Sequence, residues 1–145
     1  MSDHPPPPPP RYEDVQPGEE LPTVIKGPIE RIQLVRYAGA SGDFNPIHVD
    51  EPFARSAGYP SVFAHGMLSM GFLGELLTSW VDPRQVRKLG VRFAAITWPG
   101  DTVRARARVT RKFEEQGERR VELEVWTENQ DGKRTLFGTA IVAFP

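Results

Sequence analysis

Gly66-Met67-Leu68-Ser69-Met70-Gly71-Phe72-Leu73-Gly74-Glu75-Leu76-Leu77-Thr78-Ser79-Trp80 is the most hydrophobic stretch of the chain. Its apolar side chains fall nearly all round a helical wheel, which predicts a helix surrounded by protein. Gly71 and Gly74 weaken a helix, so something is expected to pack close to the backbone there. Glu75 interrupts the apolar run, which is short for a membrane span.

Downstream the period changes. Val103, Ala105, Ala107 and Val109 alternate with Arg104, Arg106 and Arg108, and Val121, Leu123 and Val125 alternate with Glu122, Glu124 and Trp126. Period two predicts strands with one buried and one wet face. Gln116-Gly117 supplies the turn between them, setting the arginine face beside the glutamate face. The arginine stripe is therefore read as charge-paired rather than as a phosphate site. An earlier strand is expected over Val86 to Trp98, closed by Pro99-Gly100-Asp101, and a last one over Leu136 to Phe144. Upstream, Leu21 to Lys26 reads as a short strand and Ile29 to Ala38 as a helix with Ile29, Ile32, Val35 and Arg36 near one face. A loop follows from Gly39 to Val49, and then a short helix capped by Asp50. One buried helix followed by an antiparallel sheet is an α+β arrangement. Its leftover edge strands favour association of protomers.

A chain of 145 residues with 39% hydrophobic and 26% charged residues can bury a core as one domain, expected over residues 12–145. Six consecutive prolines, Pro5 to Pro10, make residues 1–11 a disordered, extended tail, a ligand for an aromatic-lined groove being the alternative. The absence of cysteine excludes disulfides, a thiol nucleophile and a cysteine-held metal. A net charge of −1 gives no case for nucleic acid as a partner. Prolines stand where a signal peptide would carry its apolar core, so a soluble cytoplasmic protein with no membrane partner is expected.

The chemistry lies just before the buried helix. Tyr37 to His48 reads YAGASGDFNPIH. Asp43 and His48 stand five residues apart on a turn rich in Gly, Asn and Pro, and two titratable groups of different pKa on a rigid loop suit proton shuttling. Read singly, Asp43 is an Asx-turn residue and His48 an ordinary histidine. The cluster of Asp43, Asn45, His48, Asp50 and Glu51 lacks the ligand pattern of a calcium loop, and no metal is expected. Arg84, Arg87, Lys88 and Arg92 read as a solvated face, with contact to a phosphate or an acidic carrier as the alternative.

Tyr37, Ser41-Gly42-Asp43-Phe44-Asn45-Pro46-Ile47-His48, Ala54 to Gly58 and His65-Gly66-Met67 resemble the motif of the MaoC-like dehydratase family, the (R)-specific enoyl-CoA hydratases or hydratase 2. The likeness runs from about Glu30 through the Pro99-Gly100-Asp101 turn and more weakly to the end. Tyr37 to His48 and Ala64 to Val81 also resemble catalytic subunits of the (3R)-hydroxyacyl-acyl-carrier-protein dehydratases used in mycolic-acid elongation. The resemblance implies a hot-dog fold and reversible hydration of trans-2-enoyl thioesters, with Asp43 and His48 catalytic. It also implies a backbone oxyanion donor at Gly66, where a helix start offers free N–H groups. Ser41, Gly42, Asn45 and His65 would be supporting residues, with His65 bonding the catalytic loop. Met67, Met70, Phe72 and Gly74 would shape the acyl pocket. Some family members carry a serine near the position of Gly74, and its absence here would leave room for a longer chain. Coenzyme A or phosphopantetheine would enter only as part of an acyl-CoA or acyl-ACP substrate, with no separate cofactor. A homodimer or higher homo-oligomer is expected, and a heterodimer is the alternative. Competing functions are a thioesterase on the same fold and a subunit that needs a partner chain to be active.

Overall fold

The computed structural model describes residues 7–145. Three helices, α1 (Arg31–Ser41), α2 (Glu51–Ser56) and α3 (Gly66–Trp80), accompany five strands. The strands are β1 (Val24–Lys26), β2 (Val86–Phe93), β3 (Val103–Glu115), β4 (Glu118–Glu128) and β5 (Arg134–Phe144). They form one antiparallel sheet in the order β1-β3-β4-β5-β2.

The alternation read from β3 and β4 is the alternation that folds. Val103, Ala105, Ala107 and Val109 with Val121, Leu123 and Val125 form the inner face, joined by Ala140 and Val142 of β5. Against them pack Leu68, Phe72, Leu73, Leu76 and Leu77 of α3. Alanines at 105, 107 and 140 give the helix room to approach the sheet. Gln116 (φ 52°) and Gly117 (φ 75°) make the tight turn between β3 and β4. On the outer face Arg106 reaches Glu128 and Glu20, Arg111 reaches Glu122, and Arg134 reaches Glu124. Arg106, Arg108 and Arg134 also stack over Trp126, and of the stripe Arg106 and Arg108 are charge-paired.

Four expectations are corrected. α3 is covered on one side only: Met67 is 52% exposed, and Gly71, Glu75 and Thr78 continue its stripe. Five strands curl round the helix without enclosing it. α1 begins and ends later than expected and buries Leu34 and Ala38, whereas Ile32 and Val35 face outward. Ile29 precedes the helix, held by its N–H to the Asp101 carbonyl (2.9 Å) and its carbonyl to the Gly100 N–H (2.7 Å). β2 stops at Phe93 rather than Trp98, because the N–H groups of Ala94 and Ala95 both turn to the Thr135 carbonyl. The first strand holds only Val24–Lys26, and Leu21 donates to the Ala107 carbonyl in an irregular approach.

Residues 1–6 of the expected tail lie outside the described residues. Pro7, Pro8 and Pro10 line a groove with Leu21, Pro22, Leu76, Ser79 and Trp80. Among the described residues no helix is long and apolar enough to cross a membrane.

The β2–β5 ladder carries Phe93 and Leu136 to the mouth of the cavity described below, and its register depends on Gly138. A Cβ there would collide with the Gly90 carbonyl and lie 2.7 Å from Val91 Cα, both backbone of the neighbouring strand. Gly138→Ala is expected to destabilise the fold by about 3 kcal/mol through overpacking. An unchanged urea midpoint would contradict this.

Candidate functional site

A relay of short-range hydrogen bonds shapes the loop after α1. Gly42 closes α1 in the left-handed conformation (φ 76°). The Asp43 N–H then donates to Ser41 Oγ (3.2 Å), the Asn45 N–H to Asp43 Oδ1 (3.2 Å), and the Ile47 N–H to Asn45 Oδ1 (3.1 Å). Asn45 thereby caps a 3-10 turn, Pro46–His48, with Pro46 at its start. Asp43 is thus an Asx-turn residue, yet only one carboxylate oxygen serves the turn. Its side chain is exposed, whereas His48 is buried. The expected α2 cap forms as well, the Phe53 N–H donating to Asp50 Oδ1 at 3.2 Å.

His48 Nδ1 lies 2.7 Å from the Phe63 carbonyl oxygen. A carbonyl only accepts, so Nδ1 carries the hydrogen and Nε2 of the neutral ring keeps a free lone pair. His65 Nε2 lies 3.2 Å from the Asp43 carbonyl oxygen and donates to it by the same reasoning. The His65 ring stacks on His48 (centroids 3.8 Å apart, planes 27°) and makes an edge-type contact with the Tyr37 ring (4.8 Å, 62°). One ligating atom each from Asp43, His48 and His65 lies within 4.8 Å of the others. Imidazole lone pairs lie in the ring planes, so two stacked rings do not converge on one ion in the manner of a closed metal site. Asp50 and Asn45 serve as caps, and Glu51 meets Arg31, Arg55 and the Val62 N–H. Asp50 and Glu51 are thus engaged in holding α1 and α2, and Asn45 in the 3-10 turn.

Burial, and secondarily the nearby His48, lower the His65 pKa below its ordinary value, against opposing contributions from Asp43. Burial first, and then the Asp43 charge, raise the Tyr37 pKa. The folded His65 resists protonation more than the unfolded chain does. Stability from this group is full above the unfolded value near 6.5 and is lost as pH falls from there toward the folded value. The loss in Tm between pH 7.5 and 5.5 is expected to be smaller in His65→Gln than in the unaltered chain. Parallel Tm–pH curves would argue against it.

His65 is also the N-cap of α3 and makes no side-chain cap bond. The Leu68 N–H is taken by the His65 carbonyl (3.1 Å), and the Gly66 N–H, at the first helical position, has no intrahelical partner. It stands at the positive end of the helix dipole. Gly66 borders a cavity of about 310 Å³ lined also by Phe63, His65, Ser69, Phe93, Ile96 and Leu136, among others. Neither Asp43 nor His48 lines this cavity; Phe63 and His65, which do, both touch the His48 ring. Met67, Met70, Phe72 and Gly74 do not line the cavity. The residue of α3 that does so beyond Gly66 is Ser69, which sequence reasoning missed; its one signal was its place three residues after Gly66. Of the four basic residues considered earlier, Arg84 pairs with Asp82 and Arg87 with Glu118. Lys88 and Arg92 border a shallow groove beside Phe137 on the outer sheet face.

The MaoC like domain family model matches residues 14–131, and the chain belongs to this family. An (R)-specific enoyl-CoA hydratase of Rhodospirillum rubrum is 34% identical over 101 residues, covering 68% of this chain and 69% of that protein. The peroxisomal enoyl-CoA hydratase 2 of Arabidopsis thaliana is 38% identical over 66 residues, 43% of this chain. The match spans only 21% of that longer protein. Among solved structures, the unliganded R-hydratase PhaJ1 from Pseudomonas aeruginosa superposes with a TM-score of 0.79 at 27% identity, covering 92% of this chain and 85% of that one. The five-stranded antiparallel sheet curled on α3 is the hot-dog fold of these hydratases.

Proposed function

We propose that this chain is a hydro-lyase that reversibly adds water to trans-2-enoyl thioesters, and in reverse dehydrates (3R)-3-hydroxyacyl thioesters. The observation that carries this is the His48 ring, held by the Phe63 carbonyl so that Nε2 is free, beside the Asp43 carboxylate. Family membership and the hydratase names of the relatives support the reaction class.

In the hydration direction Asp43 accepts a hydrogen bond from one O–H of the water, which stays intact in the product, and so fixes its orientation. His48 Nε2 takes the proton of the other as the oxygen bonds to C3. The C2=C3 electron pair moves toward the thioester, whose oxygen gains negative charge and is met by the Gly66 N–H. The imidazolium returns its proton to C2, leaving His48 neutral. Dehydration runs these steps backwards. The mechanism calls for no metal or separate cofactor, and coenzyme A or phosphopantetheine enters with the substrate. Lys88 and Arg92 offer positive charge to either carrier.

Large apolar side chains stand exposed in the elements around the site: Phe44, Val49, Phe53, Met67 and Phe93. β2 has no strand on its outer side, and an open edge invites pairing. The reading therefore includes a second copy of the chain across β2, covering these side chains. Mass in solution tests it: a homodimer is expected, whereas an inactive monomer that gains activity only with a different chain would favour a heteromeric enzyme.

The reaction itself is tested with trans-2-butenoyl-CoA. Loss of the enoyl absorbance without release of thiol supports the hydro-lyase. Thiol release, read with a thiol reagent, would replace it with a thioesterase.

A further inference from the structure

We propose that Ser69 is a further catalytic residue: its hydroxyl donates a second hydrogen bond, beside the Gly66 N–H, to the thioester oxygen. The inference rests on the hydratase reading above. Ser69 is 1% exposed and lines the same cavity as Gly66. Residues three apart in a helix are neighbours on one face, and side chains lean toward the helix N-terminus. The Ser69 side chain therefore leans over the first turn of α3, on the side of the open Gly66 N–H.

The hydroxyl is also uncommitted. A serine in a helix commonly turns its hydroxyl back to a carbonyl of the preceding turn. Ser79 in the same helix does so, donating to the Leu76 carbonyl at 2.8 Å. Ser69 has no such bond among the described residues, although it is far more buried than Ser79. A hydroxyl with no protein partner at a cavity wall is free to meet a ligand oxygen there. Phe63, Phe93, Ile96 and Leu136 make the wall around it mostly apolar, with His65 and Thr97 its polar members. Donors there act in a low dielectric, where a hydrogen bond to developing charge is strongest. The two donors divide the work by type: a backbone N–H fixed by the helix, and a hydroxyl that rotates to follow the oxygen as the enolate forms.

The test compares the unaltered chain with Ser69→Ala and Ser69→Thr on trans-2-butenoyl-CoA, recording kcat, KM, pH profile and thermal melting for each. Ser69→Ala is expected to lower kcat by about 100-fold with little change in KM. Tm should not fall, since no protein hydrogen bond is lost and alanine favours the helix, whereas loss of a structural serine would lower it. The shape of the pH profile should not move, because serine does not titrate, and Ser69→Thr should recover much of the rate. If Ser69→Ala turns over at the rate of the unaltered chain, the proposal is overturned while the hydratase reading stands. If the unaltered chain leaves the enoyl thioester intact, both fall together.

Discussion

Asp43→Asn and His48→Asn are each expected to slow hydration of an enoyl thioester by about 10²–10⁴-fold while leaving the fold intact. Both replacements keep the local hydrogen bonds. An asparagine at 43 still offers Oδ1 to the Asn45 N–H, the bond that closes the Asx turn. An asparagine at 48 can still donate toward the Phe63 carbonyl, as Nδ1–H of the histidine does. Asp43→Asn removes a carboxylate oxygen that accepts a hydrogen bond from the water, and His48→Asn removes the base that takes its proton. The two act as a unit on one water, so the double variant should be scarcely slower than the worse single one. Additive losses would mean that they serve different steps. Turnover within a few-fold of the unaltered chain in both singles would remove the dyad from the mechanism.

The second large effect concerns a backbone donor, which side-chain substitution cannot reach unless proline is used. Gly66 is the first helical residue of α3, a position where proline is well accepted because its missing N–H has no helical partner. The residue before a proline must be extended, and His65 already is, at φ −58° and ψ 133°. The obstacle is Phe93, whose ring lies where any Cβ at residue 66 would fall. Phe93→Ala clears the space, and because both Gly66 variants carry it, its own cost cancels from the comparison. In the Phe93→Ala background, Gly66→Pro is expected to turn over about 10²–10³-fold more slowly than Gly66→Ala, with similar melting temperatures. The comparison isolates a single hydrogen. Equal rates would show that the Gly66 N–H does not stabilise the transition state.

The helix that organises the core was legible in its sequence to the residue, because Gly66 to Trp80 is apolar beyond what an exposed helix tolerates. The long strands were legible because one-sided burial imposes period two on β3 and β4. Less visible was which side of each helix would meet the sheet. Ile32 and Val35 are as apolar as Leu34, and only the tether of Ile29 to the Asp101 turn orients α1. β2 ends where Thr135, forty residues away in sequence, captures two N–H groups, a long-range event without a local signal.

The site divides in the same way. The placement of Asp43 and His48 on one turn was readable because a contiguous loop carries both, and the relay from Ser41 to Ile47 is local chemistry. The stack of His48 on His65 joins residues 17 apart, and the bond from His48 to Phe63 joins residues 15 apart. The contact with the Phe63 carbonyl, which only accepts, places the hydrogen of His48 on Nδ1. Ser69 was hidden for the opposite reason. A serine in an apolar helix reads as a helix residue of no consequence until the fold sets it against Phe93 and Ile96.

The most direct measurement is the identity and configuration of the product formed from trans-2-butenoyl-CoA by the unaltered chain. One dyad that delivers water and proton beside a single oxyanion site should give only (3R)-3-hydroxybutyryl-CoA, with loss of the enoyl absorbance and no free thiol. Recovery of unchanged enoyl thioester, of free thiol, or of a racemic or (3S) product would contradict it.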